Sequence, residues 1–331
     1  ESHDSSAFYA RKMLNGKHAP QAKNAQQQEW NEPPKQNIIY CHDSRNMKHL
    51  PDKSVHLMIT SPPYNVGKDY EADLTLEAYK VLLGDVMRET YRVLVEGGRA
   101  CVNIANVGRT PYLPLHMHLI EIAQEIGFFM RGEIIWDKGA SAGSSCAWGS
   151  WRSASNPVLR DVHEYILIFC KASFARRPVK ENSIGRDDFL ENTKSIWRFP
   201  TTTAKKANHP APFPLELPKR LIELYSFVCD IILDPFMGSG TTARAAKDAS
   251  RAYIGYEIDK AYVKAARTML GEKPASKKRK ATKSKPTKSG TRPSTSKKVV
   301  SLRQHTSAKQ KRKATSGSNR KYKEKASAAI C

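Results

Sequence analysis

Two short stretches carry residue types that could do chemistry. Asp234-Pro235-Phe236-Met237-Gly238-Ser239-Gly240-Thr241-Thr242 follows the apolar run Ile231-Ile232-Leu233 and reads as strand end, glycine turn and helix start. Gly238 and Gly240 remove side chains where a ligand must approach the backbone, and they allow positive φ. Thr241 or Thr242 can cap the helix that follows. Seventeen residues after Gly240, at the tip of the next expected strand, stands Glu257, with Asp259 close behind. An acid there is placed to accept hydrogen bonds from ribose hydroxyls. The pattern points to a nucleoside cofactor and fits either a nicotinamide dinucleotide or S-adenosylmethionine. Ala243 replaces the third glycine of the dinucleotide pattern. Asp234 suits a cationic ligand better than a pyrophosphate, because a carboxylate repels phosphate. Glycines alone would mark only a tight strand–helix turn.

The second stretch is Thr60-Ser61-Pro62-Pro63-Tyr64, at the end of the run Val55–Ile59. Open α/β sheets bind ligands at the carboxyl ends of their strands. Two prolines fix the backbone and leave carbonyls with no competing N–H, good acceptors for an exocyclic amine. Tyr64 offers a stacking face for a planar base. In isolation, Pro-Pro-Tyr reads rather as a Pro-rich turn with Tyr64 as a surface or core aromatic.

The elements that must position these stretches follow from periodicity. Strands are expected at Ile38–Cys41, Val55–Thr60, Arg99–Ala105, Arg131–Trp136, Glu164–Cys170, Asp230–Leu233 and Ala252–Tyr256. Helices are expected at Leu76–Val95, ended by Gly97-Gly98, and at Leu113–Ile126, Leu215–Phe227, Thr241–Ala249 and Lys260–Leu270. Residues 137–160 and 171–214 read as irregular, and loops that long are usually functional or disordered. Short apolar strands alternating with amphipathic helices imply an α/β fold with a mostly parallel sheet flanked by helices.

Composition bounds the rest. Of 331 residues, 55 are Lys or Arg and 32 Asp or Glu. Residues 273–331 hold 20 Lys and Arg against the single acid Glu324, while residues 1–272 hold 35 basic and 31 acidic side chains. The basicity therefore belongs to a tail. Such a stretch buries too little apolar surface to offset chain entropy, so 272–331 is expected to be disordered. Residues 1–36 read as a polar arm and 37–271 as a near-neutral folded domain. The longest apolar run, Tyr165–Cys170, has six residues, far from the roughly 20 that span a bilayer. Six cysteines without C-x-x-C spacing argue against a zinc site or disulfide scaffold. No membrane or metal partner is expected.

Ser61-Pro62-Pro63-Tyr64 followed far downstream by Asp234-Pro235-Phe236-Met237-Gly238-Ser239-Gly240 resembles the amino-methylating DNA methyltransferases of the permuted β class. The resemblance runs over about Ile38–Leu270. It implies a Rossmann-like fold with catalytic motif ahead of cofactor motif, S-adenosylmethionine as cofactor and double-stranded DNA as partner. Ser in the first position points, in that family, to cytosine N4; Asp or Asn there more often marks adenine N6. It further implies catalytic roles for Ser61, Pro62, Pro63 and Tyr64. Asp43, His209, Pro210, Phe213, Asp234, Pro235, Phe236, Gly238, Gly240, Thr241 and Glu257 would meet the cofactor. The target base would be flipped out of the duplex and held by Tyr64. Ring-carbon methylation needs a cysteine, typically in a Pro-Cys turn, and none of the six follows a proline.

DNA contacts are expected from Trp148, Trp151, Arg152, Asn156 and Arg160, where tryptophans and arginines lie among small polar groups suited to groove and phosphate contact. The two tryptophans could instead anchor the loop on the body. Lys205 and Lys206 are weaker candidates. The tail, with Lys277-Lys278-Arg279-Lys280, reads as a solvated charge run, a non-specific DNA attachment, a nuclear import signal, or both of the latter. It favours a nuclear or chromatin setting in a eukaryote over a bacterial cytoplasm. The rival functions are an adenine-N6 enzyme on the same scaffold, a catalytically silent DNA-binding or chromatin protein and, more distantly, a nicotinamide dehydrogenase.

Overall fold

The computed structural model describes residues 34–64, 74–108, 111–139, 149–202 and 213–272. Among these, eight strands form one sheet in the order β1-β8-β7-β2-β3-β5-β4-β6. The strands are β1 (Ile38–Tyr40), β2 (Val55–Thr60), β3 (Leu94–Ile104), β4 (Phe128–Asp137), β5 (His163–Lys171), β6 (Ile196–Arg198), β7 (Ile231–Asp234) and β8 (Ala252–Tyr256). The helices are α1 (Leu76–Val93), α2 (Leu115–Ile126), α3 (Arg186–Asn192), α4 (Glu216–Tyr225), α5 (Thr241–Asp248) and α6 (Lys260–Met269). Only β5 runs against its neighbours, pairing antiparallel with both β3 and β4. The sheet is therefore mostly parallel with helices packed on it, the Rossmann-like arrangement expected.

Strand alternation divides the core. In β2, Val55 and Met58 join the cluster under α1 and α2, whereas Leu57 and Ile59 join that under α4, α5 and α6. Sheets covered on both faces need such near-continuous apolar runs. α1 contributes Tyr79, Leu83, Val86, Met87 and Val93 to the first cluster, each worth about 1.5–3 kcal/mol when fully buried. Its N-cap is Thr75, whose hydroxyl accepts from the Ala78 N–H at 3.2 Å.

Two expectations need correction. Gly97-Gly98 does not stop α1: that helix ends at Val93, and both glycines lie inside β3. Against β2 the register jumps from Val55↔Leu94 to Leu57↔Arg99, so the glycines sit in a bulge. There Gly97 adopts φ 72°, and a Cβ on it would come within 2.5 Å of the Ala175 carbonyl oxygen. Residues 171–214, read as irregular, contain α3 and β6. The latter pairs parallel with the end of β4, Ile135↔Ile196, and is fixed by the buried Trp197, whose indole N–H donates to the Asn192 carbonyl at 3.1 Å.

The arm before residue 34 and the tail beyond residue 272 lie outside the described residues. Among the described residues, no helix is long and apolar enough to cross a membrane, and no cluster of His, Cys, Asp or Glu could hold a metal ion.

Candidate active site

The parallel strands β1, β8, β7, β2 and β3 direct their carboxyl ends to one edge of the sheet. Because β5 is antiparallel, its first residues reach that same edge: Ile104 pairs with Tyr165, and Trp136 with Glu164. A cavity of about 770 Å³ opens there. Its walls come from Asp43 after β1, Ser61–Tyr64 after β2, Asn103 on β3, Glu164 on β5, Pro235–Ser239 after β7 and Glu257–Asp259 after β8. The two sequence stretches thus face each other across one space.

A buried carboxylate brings them together. Asp234 is 1% exposed and accepts from the Thr60 hydroxyl at 2.7 Å, the Thr242 hydroxyl at 2.6 Å and the Phe236 N–H at 3.0 Å. Burial pushes its pKa up to about 6 despite these three donors. Asp234 is not among the residues that line the cavity. Expected to meet a cationic ligand, it instead ties the end of β2 to the glycine turn and the start of α5. Gly240 does not line the cavity either; at φ 91° it is the N-cap of α5 and packs on α6, where a Cβ would meet Ala266 Cβ at 2.9 Å. Neither threonine caps α5 through its side chain: Thr242 serves Asp234, while Thr241 lines the cavity.

Gly238 does line the cavity, with φ 51°. Its N–H donates to Glu257 Oε2 at 2.9 Å, and the Asp259 N–H donates to Glu257 Oε1 at 2.8 Å. Burial raises the Glu257 pKa against these backbone donors. Each oxygen keeps a further lone pair for a ligand hydroxyl. Asp43 lines the neighbouring wall, forked by Arg45 Nε at 2.9 Å and Nη2 at 2.6 Å. That hydrogen-bonded guanidinium holds the Asp43 carboxyl below its ordinary range. Pro235, Phe236 and Phe213 supply apolar wall. His209 and Pro210 lie outside the described residues.

At the other end, Tyr64 Oη lies 3.0 Å from Ser61 Oγ and 3.1 Å from Glu164 Oε2. Asn103 Nδ2 donates to both Tyr64 Oη at 3.1 Å and Glu164 Oε2 at 2.6 Å. Lys138 closes the group with an ion pair to Glu164 Oε1 at 2.7 Å. Burial raises the Tyr64 pKa well above that of a free phenol, so the hydroxyl keeps its proton. Sequence reading missed Asn103, Lys138 and Glu164. Their signal was slight: Asn103 is the one polar residue in Ala100–Ile104, and Glu164 heads the apolar run of β5.

Of the expected DNA contacts, Trp151, Arg152, Asn156 and Arg160 are exposed on residues 149–160 and do not line the cavity. A bridge between Gly149 and Pro157 pins this loop, and the Ser150 hydroxyl accepts from the Asn156 N–H at 2.8 Å. Trp148, Lys205 and Lys206 lie outside the described residues.

The model of the DNA methylase family, N6_N4_Mtase, matches residues 55–268. Type II methyltransferase M.MjaI of Methanocaldococcus jannaschii is 32% identical over 260 residues, which are 66% of this chain and 86% of the relative. DNA adenine methyltransferase YhdJ of Escherichia coli is 28% identical over 244 residues, 69% of this chain and 80% of the relative. Among solved structures, the putative DNA modification methylase TTHA0409 of Thermus thermophilus, complexed with S-adenosyl-L-methionine, superposes with a TM-score of 0.57 at 31% identity, covering 72% of this chain and 96% of that one.

Proposed function

The chain belongs to the DNA methylase family, and from that premise we propose that it transfers a methyl group from S-adenosylmethionine to the N4 amine of a cytosine flipped out of double-stranded DNA. The observation that carries this reading is the shared cavity of Ser61–Tyr64 and Phe236–Gly238. The order of the two motifs supports the permuted β class within the family. Residues 37–271 would form the catalytic domain.

The residues at the glycine-turn end fit the cofactor. Glu257 is a half-buried carboxylate at the tip of β8 with acceptor capacity left for ribose hydroxyls, and Gly238 lines the cavity beside Phe236. Asp43, Pro235, Thr241 and Phe213 complete the candidate walls. When bound there, S-adenosylmethionine supplies an electrophilic sulfonium methyl.

The chain's own part is orientation and electrostatics. The cytosine amine is delocalised into the ring and is a poor nucleophile. Acceptance of its N–H groups by Ser61 Oγ and the Pro62 carbonyl favours a more tetrahedral nitrogen and stabilises the positive charge that grows on it. Tyr64 would hold the extruded ring by stacking. The exposed Trp151, Arg152, Asn156 and Arg160 would contact the duplex, and Trp148, Lys205 and Lys206 remain part of the same proposal. The basic stretch 273–331 would add non-specific, salt-dependent attachment. The relatives named above are archaeal and bacterial; only the tail supports a chromatin setting.

A second reading, transfer to adenine N6, is favoured by the similarity to the adenine methyltransferase of E. coli. Nucleoside mass spectrometry of DNA incubated with the protein and cofactor separates the two. N4-methylcytosine is expected, and N6-methyladenine without it overturns the choice.

A further inference from the structure

Glu164, Tyr64, Asn103 and Ser61 form a chain of hydrogen bonds whose direction is fixed by chemistry. A carboxylate only accepts. Asn103 therefore presents its Nδ2 to Glu164, as the 2.6 Å contact requires. Tyr64 has one hydrogen, and the acceptors it faces include Ser61 Oγ at 3.0 Å, Glu164 Oε2 at 3.1 Å and the Asn103 backbone carbonyl at 3.5 Å. The charged one, Glu164, takes it. Tyr64 Oη must then accept from Ser61, 3.0 Å away. With its hydrogen spent on Tyr64, Ser61 turns lone pairs toward the cavity.

We propose that Glu164 is a positioning residue that makes Ser61 an acceptor and so restricts the cavity to a base bearing an exocyclic amine, against one bearing a carbonyl at the same position. Lys138 anchors the far oxygen of Glu164 at 2.7 Å. The burial of Asn103, at 2% exposure, keeps water from substituting for members of the chain. The inference rests on the DNA amino-methyltransferase reading and holds for cytosine or adenine alike.

Glu164→Gln reverses the chain. Lys138 takes the amide oxygen, the NH₂ group donates to Tyr64 and, once the Asn103 amide turns over, to its Oδ1, and Tyr64 gives its hydrogen to Ser61. Ser61 then offers a hydrogen to the cavity and welcomes a carbonyl. The test uses a duplex carrying the site that the wild type methylates and a second duplex with the target amine replaced by a carbonyl. The pair is uracil for cytosine, or hypoxanthine for adenine. Affinity for both is measured with S-adenosylmethionine saturating. The wild type should prefer the amine by on the order of ten-fold or more, the cost of facing a buried acceptor with an acceptor. Glu164→Gln and Tyr64→Phe should each abolish most of that preference, and their combination should add nothing further. S-adenosylmethionine affinity and melting temperature should stay at wild-type values. An unchanged preference in Glu164→Gln overturns the inference, as does a loss that only tracks cofactor affinity or stability. No methyl transfer by the wild type would instead overturn the reading beneath it.

Discussion

Thr60 and Asp234, 174 residues apart in the chain, share a 2.7 Å hydrogen bond across the carboxyl ends of β2 and β7. The next residues, Ser61 and Pro235, begin the two walls of the cavity. Parallel pairing of Met58 with Leu233 just beneath sets their height. The relationship makes the chemical and the cofactor ends of the site a single mechanical unit.

That tie has a pH signature. Burial holds the Asp234 pKa at about 6, against 3.8 for a free side chain. Between these values the folded state keeps a proton that the unfolded chain has lost, so stability from this group falls as pH rises through the window and is level above it. The size is about 3 kcal/mol at 1.36 kcal/mol per unit. Urea unfolding of the wild type and Asp234→Asn from pH 3.5 to 6.5 should show the wild type losing that much relative to the variant. A constant difference would count against a buried, proton-retaining carboxyl.

Gly240→Ala should destabilise the fold without touching the cofactor wall. The new Cβ would lie 2.9 Å from Ala266 Cβ at a φ of +91°, and overpacking of that kind costs about 1–3 kcal/mol. Adding Ala266→Gly should recover part of the loss. Cofactor affinity of the folded variant, read by calorimetry, should match the wild type; a ten-fold fall would place Gly240 in the binding wall after all.

Tyr64→Ala should weaken the hold on the extruded base by about 1–3 kcal/mol and cut turnover far more than cofactor affinity. Methyl-transfer kinetics beside calorimetric titration of S-adenosylmethionine separate the two. Equal losses in both would mean that Tyr64 shapes the pocket rather than stacks.

Removal of residues 273–331 takes away 20 cationic side chains. The slope of DNA affinity against salt concentration should flatten, while the methylated sequence stays the same. A changed sequence would move target recognition into the tail.

Much of this was legible without coordinates, because it is local. The strand before Ser61-Pro62-Pro63 and the strand–turn–helix around Gly238 follow from apolar period and from proline and glycine backbone rules, which act over a few residues. The failures are also physical. Gly97-Gly98 looks like a helix stop until the bulge against β2 and the approach of Ala175 are known. β6 is three residues long and gains its strand identity from pairing with β4, not from its own pattern.

The amino-acid sequence by itself determined most of the elements of the sheet and its covering helices, that two chemical stretches end on strands, and the family they resemble. The tertiary structure alone decided which side chains face the cavity. It turned Asp234 and Gly240 inward as structural ties. Through the reversed direction of β5 it also carried Glu164 to Asn103 on β3 and to the hydroxyl of Tyr64, which in turn meets Ser61. Strand order and direction depend on pairings between segments far apart in the chain, and local periodicity holds no record of them.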